Sequence, residues 1–340
     1  MKILDIIEEG SPKFVKKGET NMLRSAGILG VGSYLPPYVV TNEYFKEKCG
    51  ISGRSIEKMT GIKERRFTIP GINMIDMTYA AGKAALENAN VDPTEIDFVI
   101  LSTITQERIY PSIACQVQNR LGIPTTAGAY DMSVGCAGFV FALLNAFQYV
   151  QTGFAKKVLV VGVDECSRNM VLENKKERKV NILFGDGAGA AIVGEVSEGF
   201  GLLSSTVGSD GSGSEYMSED SNHRPSMDGE AIFQFASTYI PIIVNEVLLK
   251  ANLTLDDLDY LVPHQANLRI IEKAVYNLDF PIEKVATHAV QYYGNTSSAS
   301  VALALADEVT EGRIKDGDYV ALAGFGSGLA WSAALIKWGK

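Results

Sequence analysis

Ala89-Asn-Val-Asp-Pro-Thr-Glu-Ile-Asp-Phe-Val-Ile100 and Ala251-Asn-Leu-Thr-Leu-Asp-Asp-Leu-Asp-Tyr-Leu-Val262 lie over one another without a gap, 162 residues apart. Each reads as a helix end, a turn and then a buried strand. Outward from this pair the match continues. Leu121-Gly-Ile-Pro124 answers to Leu278-Asp-Phe-Pro281, and Cys136–Gly153 to Asn295–Gly312 at an offset of 159. KVLVVG before FGDGAGAAIVG answers to YVALAG before FGSGLAWSAALI. Any two α/β segments align loosely, but four ordered matches at a nearly constant offset predict a chain written twice. Short β-branched runs (Phe98–Ile104, Val158–Val163) alternate with Ala-rich stretches (Met74–Ala89, Ala137–Val150). That alternation predicts an α/β fold whose sheets are covered on both faces. The expected organisation is two similar halves, 23–200 and 201–340, about a pseudo-twofold axis. Residues 1–22, charged and without a clean period, read as an appendage outside the core.

Composition narrows the function. The 340 residues are 46% apolar and 21% charged, enough for a sizeable core and too apolar for disorder. A net charge of −9 argues against a nucleic-acid partner, since phosphate backbones want a basic face. Apolar runs such as Val158–Val163 and Ala188–Val193 fall far short of the ~18 residues of a spanning helix. The start of the chain has no basic-then-apolar pattern, which predicts no secretion signal and a cytoplasmic protein. Cys49, Cys115, Cys136 and Cys166 form no CxxC pair and read as reduced thiols. His223, His264 and His288 lack metal-ligand spacing, so no metal site is expected.

Against that background a few residues carry chemistry. Cys136, in Asp131-Met-Ser-Val-Gly-Cys-Ala-Gly-Phe139, sits where a small-residue turn enters an apolar helix. Unpaired N–H groups and the positive dipole end there favour a thiolate. A buried structural role suits Cys115 and Cys166 better. The repeat pairs Cys136 with Asn295, in Tyr293-Gly-Asn-Thr-Ser-Ser-Ala-Ser300, and pairs Ser102 with His264, in Val262-Pro-His-Gln-Ala-Asn-Leu-Arg269. A pseudo-twofold can bring these helix starts and strand ends to one cleft, although Asn295 could equally cap its helix. His288 has no polar cluster around it, and His223 falls in a Gly/Ser/Asp-rich loop. GxGxG at 185–189 lacks a dinucleotide or P-loop spacing, and close backbone packing explains it better than a phosphate cradle.

Asp131–Phe139, HQANLR at 264–269, GNTSSAS at 294–300, FGDGAGAA at 184–191 and the terminal GFGSGLAW together resemble the β-ketoacyl-acyl-carrier-protein synthase III family. The resemblance runs from Leu23 to Trp338. It implies a thiolase fold of two duplicated halves in an αβαβα layering, a homodimer, and no metal or redox cofactor. It also implies an acyltransferase of fatty-acid initiation, with acyl-coenzyme A and malonyl-acyl-carrier protein as substrates. Cys136 would take the acyl group, His264 and Asn295 would stabilise the enolate formed on decarboxylation, and the backbone N–H groups of Cys136 and Ser327 would hold the second oxyanion.

Thr60, Arg178, Met227, Gly229, Phe233, Ala266 and Asn267 match the family's coenzyme A positions. Arg269 and Lys273 match carrier-protein docking, and Tyr110 matches an aromatic that closes the partner subunit's acyl pocket. This sequence departs from the pattern at Ser55, where a tryptophan stacks on adenine, and at Met59, where an arginine faces phosphate. Gln234, Tyr276 and Asn277 replace lysines. The departures favour, as the alternative, a related enzyme of a secondary-metabolite or surface-glycan pathway. A cysteine hydrolase with Cys136, His264 and Asn295 in papain-like order is a different class, but the surroundings of Cys136 are not those of a protease. A non-catalytic carrier-binding protein would not need the intact Cys/His/Asn set.

Overall fold

Nine of the described strands fall into two mixed sheets with one shared plan, and the others pair in two short ribbons. In the computed structural model, which describes residues 23–172, 178–221 and 224–340, the first sheet holds β1 (Ala26–Tyr34), β2 (Phe98–Ser102), β3 (Gly128–Met132), β4 (Lys157–Glu165) and β5 (Asp186–Glu195). Their order is β1-β5-β4-β2-β3, with β5 antiparallel to both neighbours and β2 parallel to both of its own. The second sheet holds β6 (Gly201–Ser209), β7 (Tyr260–Pro263), β8 (Tyr319–Gly326) and β9 (Ala330–Lys337) in the order β6-β9-β8-β7. Again one strand, β9, is antiparallel to both neighbours, and β7 runs parallel to β8. Where β3 would recur, only a parallel bridge between Leu261 and Val285 remains. The readings of residues 1–22 and His223 lie outside the described residues.

Six helices complete the layers: α1 (Met74–Ala89), α2 (Ile113–Leu121), α3 (Gly138–Gln151), α4 (Gly229–Lys250), α5 (Leu268–Leu278) and α6 (Ser300–Thr310). α3 and α6 are apolar on nearly every face, as helices buried on all sides must be, and each packs on strands of both sheets. α1 and α2 cover the outer side of the first sheet; α4, with α5 beside it, covers the second. The layering is αβαβα. One apolar core, including Phe139, Phe147, Val160, Leu305 and Leu322, lies between the sheets, and separate cores fill each outer interface. In the glycine-rich strand β5, a Cβ at Gly189 would strike α6 at Ala302 and Leu303. That segment serves close packing.

One expectation needs correction. The 22-residue α4 is long and apolar enough, by length and composition, to cross a membrane, which counting uninterrupted apolar runs overlooked because polar residues interrupt it. Ile232, Phe235, Ile240, Ile243, Val244, Val247 and Leu248 are buried in the outer core of the second half.

Candidate active site

The turn from β3 into α3 carries Cys136. Gly135 has φ +53°, a left-handed conformation that favours glycine, and a Cβ there would stand 2.5 Å from Ser327 Oγ and 3.0 Å from Ser327 N. A Cβ on Gly326 would stand 2.6 Å from the Cys136 nitrogen. The end of β8 therefore lies directly against the cysteine turn. Cys136 is buried, and its thiol points toward Ser297 Oγ at 3.5 Å. Burial opposes the expected resting thiolate. Burial pushes the thiol up to about 12, with the Asp164 carboxylate adding to the rise and the Ser297 hydroxyl opposing it. α3 itself begins two residues further on, at Gly138.

His264 follows β7 directly, its N–H donating to Ala323 O at 2.7 Å. The ring is buried edge-on to Phe325, with centroids 4.8 Å apart, and burial holds its pKa down at about 3. It is therefore a neutral imidazole at ordinary pH. Nδ1 forms a short contact with Ser300 Oγ. That oxygen also accepts the Gln265 N–H at 3.3 Å, and its hydrogen and second lone pair serve either imidazole tautomer at Nδ1. Nε2 is the nitrogen left to face a ligand.

Asn295 is held by backbone pairing with the Leu183–Gly185 segment: its N–H donates to Leu183 O at 2.8 Å, and its carbonyl accepts the Gly185 N–H at 3.0 Å. Side-chain Oδ1 accepts the Ser297 N–H at 2.9 Å. This bond closes a turn rather than capping α6, whose N-cap is Ala299, and it leaves the Nδ2 amide group as a donor. Behind the loop, buried Asp164 accepts from Thr103 Oγ1, Thr105 Oγ1 and the Ile104 and Thr105 N–H groups on one oxygen, and from the Ser298 N–H on the other. Burial raises its pKa despite these five donors. The contact ties the second half's 295–300 loop to strand β4 of the first half.

Cys136, His264 and Asn295 line one cavity of about 340 Å³, together with Thr60, Met227, Gly229, Phe233, Ala266 and Asn267. Met59, half exposed, and Lys179 also line it. Ser327 and Gly135 border a second cavity of about 290 Å³, which shares Met217 with the first. Other expected residues lie apart. Arg178 donates to Cys49 O at 2.8 Å. Arg269 pairs with Glu272 and donates to the Glu57 and Lys58 carbonyls, fastening the helix Gly53–Thr60 to α5. Lys273 lies 4.8 Å from the ring centroid of Tyr276. Tyr110 and its neighbour Ile109 project from the surface, 83% and 88% exposed. Cys115, expected to be buried, is exposed, and Cys166 borders the second cavity. Sequence reading missed Ser297, Ser300 and Asp164. Only the three-residue spacing of the two serines, which aligns them along one side of a turn, hinted at them.

Family models agree with this geometry. Residues 130–211 match the model for 3-oxoacyl-[acyl-carrier-protein] synthase III, and residues 248–338 match its C-terminal model. The β-ketoacyl-[acyl-carrier-protein] synthase III of Listeria welshimeri is 46% identical over 316 residues, covering 93% of this chain and all of the relative. The enzyme of the same name from Geobacillus kaustophilus is 42% identical over 93% of this chain and 99% of its own. Among solved structures, the synthase III of Thermus thermophilus superposes with a TM-score of 0.88 at 39% identity, covering 92% of this chain and 99% of the other. The priming β-ketosynthase of the R1128 polyketide pathway gives 0.87 at 37%, covering 94% and 98%.

Proposed function

The chain belongs to the 3-oxoacyl-[acyl-carrier-protein] synthase III family, and from that premise we propose how its residues divide the reaction. It has the thiolase fold and is an acyltransferase that condenses an acyl-coenzyme A primer with malonyl-acyl-carrier protein at the start of fatty-acid synthesis. The observation carrying the assignment of roles is the single cavity lined by Cys136 from one half and by His264 and Asn295 from the other.

Cys136 Sγ attacks the primer thioester carbonyl. The bond from carbonyl carbon to coenzyme A sulfur breaks, and the proton from Cys136 leaves with the coenzyme A thiol. Because the resting thiol is neutral, that proton moves during acyl transfer, assisted by the positive end of α3. The malonyl thioester then loses carbon dioxide, and the electron pair of the broken C–C bond passes into an enolate. His264 Nε2–H and Asn295 Nδ2 donate to its oxygen. A neutral imidazole serves as donor here, the state that burial imposes. The enolate carbon attacks the acyl-cysteine, whose oxyanion takes the N–H groups of Cys136 and Ser327. Collapse releases 3-oxoacyl-acyl-carrier protein and the Cys136 thiolate, which regains a proton from solvent.

The division into 23–200 and 201–340, with the nucleophile in one unit and the enolate donors in the other, belongs to the same proposal. So do coenzyme A contacts from the cavity-lining residues Thr60 to Asn267 and from Arg178, and carrier-protein docking at Arg269 and Lys273. A cytoplasmic homodimer in which Tyr110 reaches the partner's acyl pocket completes it, and the exposure of Ile109 and Tyr110 supports that contact. Incubation with acetyl-coenzyme A is expected to add one acetyl group to the Cys136 peptide, stable until malonyl-acyl-carrier protein is supplied. A label on Cys49, Cys115 or Cys166 would reject the assignment of the nucleophile, and rapid hydrolysis without acceptor would mark a hydrolase.

A further inference from the structure

The second cavity, of about 290 Å³, reaches the cysteine turn at Gly135 and Ser327 and shares Met217 with the cavity of the enolate donors. A condensing cysteine must have somewhere to send the acyl chain it carries while the second thioester occupies the His264 and Asn295 side. Neither His264 nor Asn295 lines this cavity. Its lining is polar for an acyl pocket, because eight of its fourteen residues are Ser, Thr, Asn, Gln or Glu. Asn181, buried to 2% exposure, donates Nδ2 to Val171 O at 2.8 Å, while its Oδ1 has no hydrogen-bond partner among the described residues. Ser133 and Asn169, exposed to solvent, and the half-buried Ser218 also line it. A plain hydrocarbon chain would displace water from these groups and return no hydrogen bond, whereas a chain bearing a hydroxyl replaces it.

Resting on the condensing reading above, we propose that this cavity receives the primer's acyl chain and selects a short hydroxyacyl group over the unsubstituted chain of equal length. The covalent step is the one already described: the acyl carbon–Cys136 sulfur bond forms, the bond to coenzyme A sulfur breaks, and the thiol proton leaves with coenzyme A. The hydroxyl takes no part in it and donates to an acceptor such as Asn181 Oδ1. Sites that hydrogen-bond a substrate hydroxyl discriminate against analogues lacking it, because their own polar groups are then left unpaired.

The test compares single-turnover acylation of Cys136 by 3-hydroxybutyryl-coenzyme A and butyryl-coenzyme A, read by mass spectrometry on the intact protein. About a tenfold preference for the hydroxyacyl thioester is expected, the order of one to two neutral hydrogen bonds. Asn181→Leu should erase or reverse the preference; should that variant fail to fold, Ser218→Ala is expected to lower it about threefold. Equal rates, a butyryl preference, or acylation by acetyl alone would overturn the inference and leave the condensing function standing. Absence of Cys136 labelling by every acyl-coenzyme A would overturn the functional reading itself.

Discussion

Where α3 begins, the first half carries Cys136 and Gly138, with Ser102 at the end of the neighbouring strand; the second half carries Asn295, Ser297 and His264 at the places the repeat makes equivalent. The frames match except at β3, which recurs only as a bridge, yet the side chains do opposite work. Ser102 Oγ is buried without a partner among the described residues and presses on Gly138, where no side chain would fit. Its counterpart His264 is oriented by Ser300, and Gly138's counterpart Ser297 faces the Cys136 thiol. One half supplies a nucleophile and keeps its surroundings small; the other supplies donors and the hydroxyls that aim them. Duplication made a symmetric frame, and chemistry required breaking it, because a nucleophile and the donors that stabilise an enolate must face each other across a gap.

Mutating each half should separate the half-reactions. Cys136→Ala is expected to reduce acylation by roughly 10⁴-fold or more. His264→Ala and Asn295→Ala should each lower malonyl decarboxylation by about 10²–10³-fold, the usual cost of one oxyanion donor, while acylation measured by intact mass is kept. Equal loss of both half-reactions in the second-half variants would mean the halves do not divide the labour.

The Cys136 environment gives a sharper contrast between a helix-end thiolate and a buried thiol. With its pKa raised to about 12, Cys136 is protonated at neutral pH, and the thiolate fraction grows about tenfold per pH unit below that value. Alkylation of Cys136 by iodoacetamide should therefore climb about a hundredfold between pH 7 and 9. A plateau in this interval would show that the helix end outweighs burial.

The smallest expected effect tests orientation. Ser300→Ala removes the hydroxyl that contacts His264 Nδ1, and about a five- to tenfold fall in decarboxylation is expected, near the worth of one hydrogen bond. Imidazole nitrogen shifts should report a mixed tautomer in this variant. Unchanged shifts with unchanged rate would remove Ser300 from the orienting role.

Much of the fold was legible in the chain. The helices Met74–Ala89 and Gly138–Gln151 and the strand at 157–165 sit within one or two residues of their expected positions, because buried helices and strands need long apolar periods that local sequence displays. The strand expected to reach Ile104 stops at Ser102, since Thr103–Thr105 turn to give their hydrogens to Asp164, 60 residues away. α4 was under-read for a related reason: its apolar residues face one core and are separated by polar ones.

By itself, the sequence determined that two like units exist, which positions in them correspond, and that Cys136, His264 and Asn295 are the unusual members of those pairs. All of this is periodicity and residue type, which local chain chemistry records. Tertiary structure alone decided the direction in which burial shifts Cys136 and His264, the contact of Ser300 with His264 Nδ1, the clamp from Asp164 to Ser298, and the polarity of the second cavity. Each depends on burial or on partners far apart along the chain, and desolvation has no value until the fold has closed around the group.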